Sequence, residues 1–198
     1  MKATNPKIFG LILAGGYSRR MGQDKALLEF HGLPQIEYLF DLLQKFSSKV
    51  FLSKRADQTT YKNIPFINDG NEFINKGPLG GILSAMKEHP DASWLVIACD
   101  LPFVTENTIQ TLISHRDFNK TATAFISAQD GLPEPLCAIW EAHAYDSILN
   151  LFNQGIHCPR KILIKSNTQL LKQNDLHWLD NINTPQEYEK IKLKKGAL

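Results

Sequence analysis

The six residues Trp94-Leu95-Val96-Ile97-Ala98-Cys99 carry no charge and show no alternation of apolar and polar side chains. A strand of that kind has no face to offer water, so both faces must be covered, which is the condition of parallel sheets flanked by helices. The run leads straight into Asp100. A second continuous apolar run, Ile8-Phe9-Gly10-Leu11-Ile12-Leu13, ends in Gly15-Gly16, as a buried strand entering a loop does. Val50-Phe51-Leu52 and Ile64 to Ile67 read as two further strands.

Helical spacing separates them. Pro34 to Phe46 places Ile36, Leu39, Phe40, Leu43 and Phe46 on one face, and Pro78 to Lys87 does the same with Leu79, Ile82, Leu83 and Met86. Both begin on proline, which suits a first helical turn. Thr105 reads as the N-cap of a helix whose apolar face is Ile109, Leu112 and Ile113. The β-α-β-α-β-α order predicts an α/β fold with a mostly parallel central sheet and helices on both faces.

After about residue 120 the rhythm changes. Ala122 to Ala128 and Leu136 to Trp140 read as strands around the turn-prone Asp130-Gly131-Leu132-Pro133. Helices are expected around His143 to Phe152 and Pro185 to Leu193. With 198 residues, 43% of them hydrophobic, and no repeat or long linker, the expectation is a single domain over 1–198.

Charge and cysteines exclude several classes. Lys and Arg number 22 against 20 Asp and Glu, which gives no clustered positive surface for nucleic acid. The basic stretch Lys190 to Lys195 reads as a solvated helix end. Cys99, Cys137 and Cys158 are odd in number and contain no C-x-x-C pair, which argues against a disulfide framework or a zinc site. The six histidines show no metal spacing and read as surface or packing residues. The apolar run at Ile8 to Ala14 is too short to span a membrane, and Arg19 and Arg20 follow it where a signal peptide has its charge in front. A cytoplasmic protein with no membrane partner is expected.

Ligands of open parallel sheets bind beyond the carboxyl ends of the strands. The stretch from Leu13 to Lys25 lies there, with Gly15, Gly16 and Gly22, the hydroxyl of Ser18, and the cations Arg19, Arg20 and Lys25. Glycines let backbone N–H groups approach phosphate oxygens, and the cations suit a triphosphate. An ordinary surface loop would have a similar composition. The stretch is not a P-loop, since Gly16 and Gly22 enclose five residues and Gln23 follows; adjacent Gly15 and Gly16 also rule out G-x-G-x-x-G. Opposite this loop, Asp100 offers a carboxylate suited to Mg²⁺.

The pattern Leu13-Ala14-Gly15-Gly16-x-Ser18-x-Arg20-Met21-Gly22-x-Asp24-Lys25 resembles the signature of the molybdenum cofactor guanylyltransferases, within the wider nucleotidyltransferases. Asp69, Gly77-Pro78-Leu79-Gly80-Gly81, Cys99-Asp100-Leu101-Pro102 and Asn181-Ile182-Asn183-Thr184-Pro185 follow in the family's order, so the resemblance runs from about residue 8 to about residue 190. It implies a Rossmann-like sheet and Mg²⁺-dependent transfer of GMP from GTP to molybdopterin, with release of pyrophosphate. It also implies a nucleotide-binding half of about 1–118 and an acceptor-side half of about 119–198.

By the same resemblance Leu13, Ala14, Gly15, Gly16 and Ser18 would line the nucleotide site. Lys25 and Arg20 would meet phosphate charge, Asp69 would help hold the nucleotide, and Asp100 would bind Mg²⁺. Ser53 stands where such enzymes can carry an Asn near the base, which leaves a cytidylyltransferase open. For the acceptor, Arg160 and Lys161 offer cations and Asn183 matches a motif near the site; an exposed pair at a helix start is the alternative for the two cations. A non-catalytic carrier of GTP or molybdopterin is the rival of another class. Molybdoenzymes or cofactor-delivery proteins are the expected partners of either.

Overall fold

The two apolar runs lie side by side in the middle of one sheet. β1 (Lys7–Leu13) and β4 (Ala92–Ala98) are parallel and pair from Lys7↔Ala92 to Leu13↔Ala98. Every residue of β4 is buried, as its unbroken apolar run requires. The computed structural model describes residues 6–14, 25–54, 61, 64–182 and 184–189, with Lys25 described by its backbone alone.

β2 (Lys49–Lys54) pairs parallel with β1, and β3 (Phe66–Asn68) pairs parallel with β2. On the other side of β4 lie β6 (Pro133–Trp140), β5 (Ala122–Ile126) and β7 (Thr168–Leu171). The seven-stranded order is β3-β2-β1-β4-β6-β5-β7. β6 is antiparallel to both neighbours, and β5 and β7 are parallel.

Side chains along a strand alternate between faces, so Gly10 and Leu13 of β1 point oppositely. An added Cβ at Gly10 would meet Leu43 of α1 (Gln35–Gln44), while Leu13 lies against Gly81 of α2 (Pro78–Glu88). Helices therefore cover both faces, as expected for an α/β fold. α3 (Glu106–Ser114) starts where the Thr105 cap was expected, with the Thr105 N–H donating to the Thr108 hydroxyl at 3.2 Å. α4 (Tyr145–Asn153) follows a single 3-10 turn, and α5 (Pro159–Lys165) ends one residue before a short link to β7.

Local expectations change in the second half of the sheet. β6 begins at Pro133, three residues earlier than expected, because it opens directly out of the turn at Asp130. β7 was not expected, and α5 only as the alternative reading of Arg160 and Lys161; four and seven residues are too short to display a period. The last expected helix is seen over 185–189, and its continuation lies outside the described residues.

Trp94, Trp140, Phe73 and Phe125 are the largest fully buried side chains of the main core. A smaller cluster joins Leu28 and Phe30 to Ile182, with Tyr188 edge-on to Phe30 at 5.2 Å. It ties the segment after the first loop to the end of the chain.

Candidate active site

The carboxyl ends of β1 and β4 are held together beyond the strands themselves. Cys99 N–H donates to the Leu13 carbonyl at 3.1 Å, and Ala14 N–H donates to the Ser53 carbonyl at 3.2 Å. Leu13 and Ala14 are thereby buried at the rim, immediately before the glycine-rich loop. Asp69 lies at the same edge, just past β3, and Asp100 just past β4.

The segment carrying Asp100 is pinned from two sides. Gln35 donates its side-chain N–H to the Leu101 carbonyl at 3.2 Å, and Tyr38 donates its hydroxyl to the Val104 carbonyl at 3.0 Å. The His31 ring is 2.9 Å from the Pro102 carbonyl and stacks on Tyr38 with centroids 3.6 Å apart. From the other side, Ile182 N–H donates to the Asp100 carbonyl at 3.0 Å. Burial, then the Glu106 carboxylate, raises the Tyr38 hydroxyl above its ordinary pKa, which keeps it a donor.

The Gly77-Pro78-Leu79-Gly80-Gly81 stretch has a packing explanation. A Cβ at Gly80 would fall 2.5 Å from the Phe73 carbonyl oxygen, and one at Gly81 would fall 2.2 Å from Ser53 Oγ. Without those side chains α2 can lie directly on the ends of β1 and β2. Ser53 itself is 5% exposed, so its small size is accounted for by this close approach of the helix.

Beside Asp100 a cleft of about 150 Å³ opens between β4, the β5–β6 hairpin, α5 and the segment at 179–181. Its walls include Leu101, Leu136 and Leu179, and its polar groups include Asp130, Glu134 and Arg160. The register of β5 and β6 jumps from Ala124↔Ala138 to Phe125↔Glu134, a bulge that re-aims the start of β6 into the cleft. Arg160 sits at the start of α5 with Nη1 2.8 Å from Asp130 Oδ2 and Nη2 2.8 Å from Glu134 Oε2. The Leu132 N–H foremost, then the Ser127 hydroxyl and Arg160, hold the Asp130 carboxyl below its ordinary range. Cys137 also lines the cleft, but burial pushes its thiol far up, and it stays protonated.

Of the residues singled out in the sequence, the structure brings Leu13, Ala14, Asp69 and Asp100 to one edge of the sheet. Arg160 reaches the cleft beside Asp100. Lys161, expected alongside it in the same role, is exposed and does not line the cleft. Lys25 opens a 3-10 turn on the far side of the loop, and its side chain lies outside the described residues. Gly15, Gly16, Ser18, Arg20 and Asn183 lie outside them as well. The sequence marks Asp130 as a turn residue and gives no role to the carboxylate of either Asp130 or Glu134. The cation that organises both is 30 and 26 residues further on.

A family described as the MobA-like NTP transferase domain matches residues 10–170. The chain belongs to this family. Among the family's relatives, a "Molybdenum cofactor biosynthesis bifunctional protein" of Synechocystis sp. is 40% identical over 187 residues, covering 93% of this chain. This chain spans about half of that relative, 53% of its length. A "Probable molybdenum cofactor guanylyltransferase" of Carboxydothermus hydrogenoformans is 32% identical over 195 residues, covering 91% of this chain and 92% of the relative. The crystal structure of molybdopterin-guanine dinucleotide biosynthesis protein A from Archaeoglobus fulgidus shares the fold, with a TM-score of 0.77 at 23% identity over 96% of this chain and all of that one.

Proposed function

We propose that this chain transfers GMP from GTP to the terminal phosphate of molybdopterin, releasing pyrophosphate, as a molybdenum cofactor guanylyltransferase. The observation that carries the reading is the meeting, at one sheet edge, of the β1 end, Asp100 and a lined cleft. The names of both relatives point to molybdenum cofactor biosynthesis, and that of the Carboxydothermus relative points to guanine. On this reading the first half, about 1–118, holds the nucleotide and the second, about 119–198, forms the acceptor side.

Among the described residues no group of three or more His, Cys, Asp or Glu could hold a metal ion by itself. Asp100 offers one carboxylate at the cleft. That sparse oxygen donor set fits Mg²⁺, which keeps several waters and substrate phosphates in its shell. When bound there, the ion supplies charge neutralisation for phosphate oxygens.

The chain's own part is positioning. An oxygen of the acceptor phosphate forms a bond to the α-phosphorus of GTP while the bond from that phosphorus to the β-bridging oxygen breaks. The electron pair leaves with pyrophosphate. Lys25 and Arg20 stabilise that departing charge, and Gly15, Gly16 and Ser18 cradle the phosphates beside Leu13 and Ala14. Asp69 helps hold the nucleotide and Asn183 the acceptor. Holding two reactants in line accounts for a large share of such a rate enhancement, and no nucleophilic side chain is required. No helix among the described residues is long and apolar enough to cross a membrane.

The test is incubation with Mg²⁺, molybdopterin and GTP, CTP or ATP separately, with dinucleotide products read by mass spectrometry. A guanine dinucleotide from GTP alone is expected. A cytosine product would keep the mechanism and overturn the base. GTP binding without pyrophosphate release would favour the carrier.

A further inference from the structure

Among the described residues the cleft beside Asp100 is acidic: Asp100, Asp130 and Glu134 line it with one cation, Arg160. Arg160 is also engaged at both Nη atoms, each 2.8 Å from a carboxylate oxygen. An acceptor phosphate could reach it only by breaking one ion pair and stranding the carboxylate beside a second anion. Arg160 therefore makes a poor phosphate receptor, and the cations expected for the acceptor phosphate do not belong at this end of the cleft.

Glu134 has the opposite character. Among the described residues its ion pair is with Arg160, through Oε2, and the residue lines the cleft. Arg160 fixes the carboxylate's orientation and, with the bulge that follows Glu134 in β6, fixes its position. Glu134 and Asp100 each lie three residues beyond the Ile97↔Cys137 pair, on neighbouring antiparallel strands, and so at the same end of the sheet. Leu101, Leu136 and Leu179 also line the cleft and offer apolar surface to the faces of a planar ring.

We propose that Glu134, oriented by Arg160, reads the N–H donor edge of the acceptor's ring, the 2-amino-4-oxopyrimidine edge of a pterin. This inference rests on the function proposed above. Guanine presents the same edge. The pterin is favoured because Glu134 belongs to the β5–β6 side of the sheet, across β4 from the ends of β1, β2 and β3. The acceptor's phosphate then points toward Asp100 and its ring toward Glu134. Arg160 is a positioning residue in this arrangement.

Glu134→Gln is the decisive variant, because the amide oxygen can still accept from Arg160 while the amide N–H₂ repels a donor edge. Loss of a charge-assisted hydrogen bond should raise the acceptor KM about ten-fold or more, with the GTP KM unchanged. A merely structural role is separated by ligand discrimination. Quenching of pteridine fluorescence should show the unaltered protein binding pterin more tightly than lumazine, which has a 2-oxo group in place of the 2-amino group. In Glu134→Gln that preference should vanish or reverse. An unchanged acceptor KM, or a retained pterin preference, would overturn the proposal. A raised GTP KM would reassign Glu134 to guanine. If the unaltered protein transfers no nucleotide at all, the proposed function fails, and the pterin–lumazine comparison still tests Glu134 by itself.

Discussion

Gly81→Ala should strain the site through packing alone. An added Cβ would stand 2.2 Å from Ser53 Oγ, 3.1 Å from Ser53 Cβ and 3.3 Å from Leu13 Cδ2. Relief requires the Ser53 hydroxyl to turn away or α2 and the end of β2 to part by up to roughly 1 Å, since non-bonded heavy atoms do not approach so closely. Overpacking of this kind costs about 1–3 kcal/mol. For a chain of this size that is a fall in Tm of about 2–12 °C. The same displacement moves the Ser53 carbonyl that holds Ala14 N–H, and a 1 Å misplacement near a reacting centre can cost about 100-fold in rate. Thermal unfolding and steady-state kinetics with GTP would be measured on Gly81→Ala, Ser53→Ala and the double variant. Removing Ser53 Oγ leaves 3.1 Å as the nearest approach, so the double variant should recover part of both losses. The reasoning is refuted if Gly81→Ala is neutral, or if the double variant is no better than Gly81→Ala.

Asp100→Ala should abolish transfer while circular dichroism and Tm remain near those of the unaltered protein; retained activity would remove Asp100 from the mechanism. At the opposite end of the sheet Arg116 Nε lies 2.7 Å from Glu141 Oε1, with side chains only 5% and 1% exposed, and Ser93 also donates to Glu141. Arg116→Met leaves that carboxylate buried and short of its cation, so urea unfolding should show a loss of about 3–5 kcal/mol. Activity at low temperature should be unchanged. Tyr38→Phe loses the bond to the Val104 carbonyl, at a cost of about 0.5–1.5 kcal/mol. Because the folded-state pKa of Tyr38 is raised, its contribution is present below the ordinary tyrosine value of about 10 and is lost as pH rises beyond it. The stability difference between Tyr38→Phe and the unaltered protein should therefore narrow in strong alkali.

The parallel half of the sheet could be read from one line of letters because its signals are local. An unbroken apolar run such as Trp94 to Cys99 admits one environment, and Thr105 or Pro78 marks a helix start within a few residues. The second half depends on pairings that local pattern does not encode. The direction of β6 follows from the hairpin to β5 and from the edge that β4 leaves open. β7 is a four-residue edge strand with one fully buried position, too little to show alternation. For the site, Asp100 was legible because it ends an apolar run. The pairing of Arg160 with Asp130 and Glu134 was not, since it is made only when α5 folds against the bulged start of β6. Ser53 was read for its hydrogen-bonding capacity, whereas its surroundings are a helix backbone.

The order in which the strands are synthesised differs from the order in which they stand. β5 leaves the ribosome before β6, yet β6 is the strand that joins it to β4. The four parallel strands β1 to β4 can pair as soon as residue 98 is available, but the outer edge of β4 then has no neighbour until residue 140 has been made. At about 5–20 residues per second those 42 residues take roughly 2–8 s. For that interval the most apolar strand of the nascent chain presents an open edge, a template for pairing with another chain. Slow codons between positions 98 and 140 should therefore lower the yield of folded protein more than slow codons after 140.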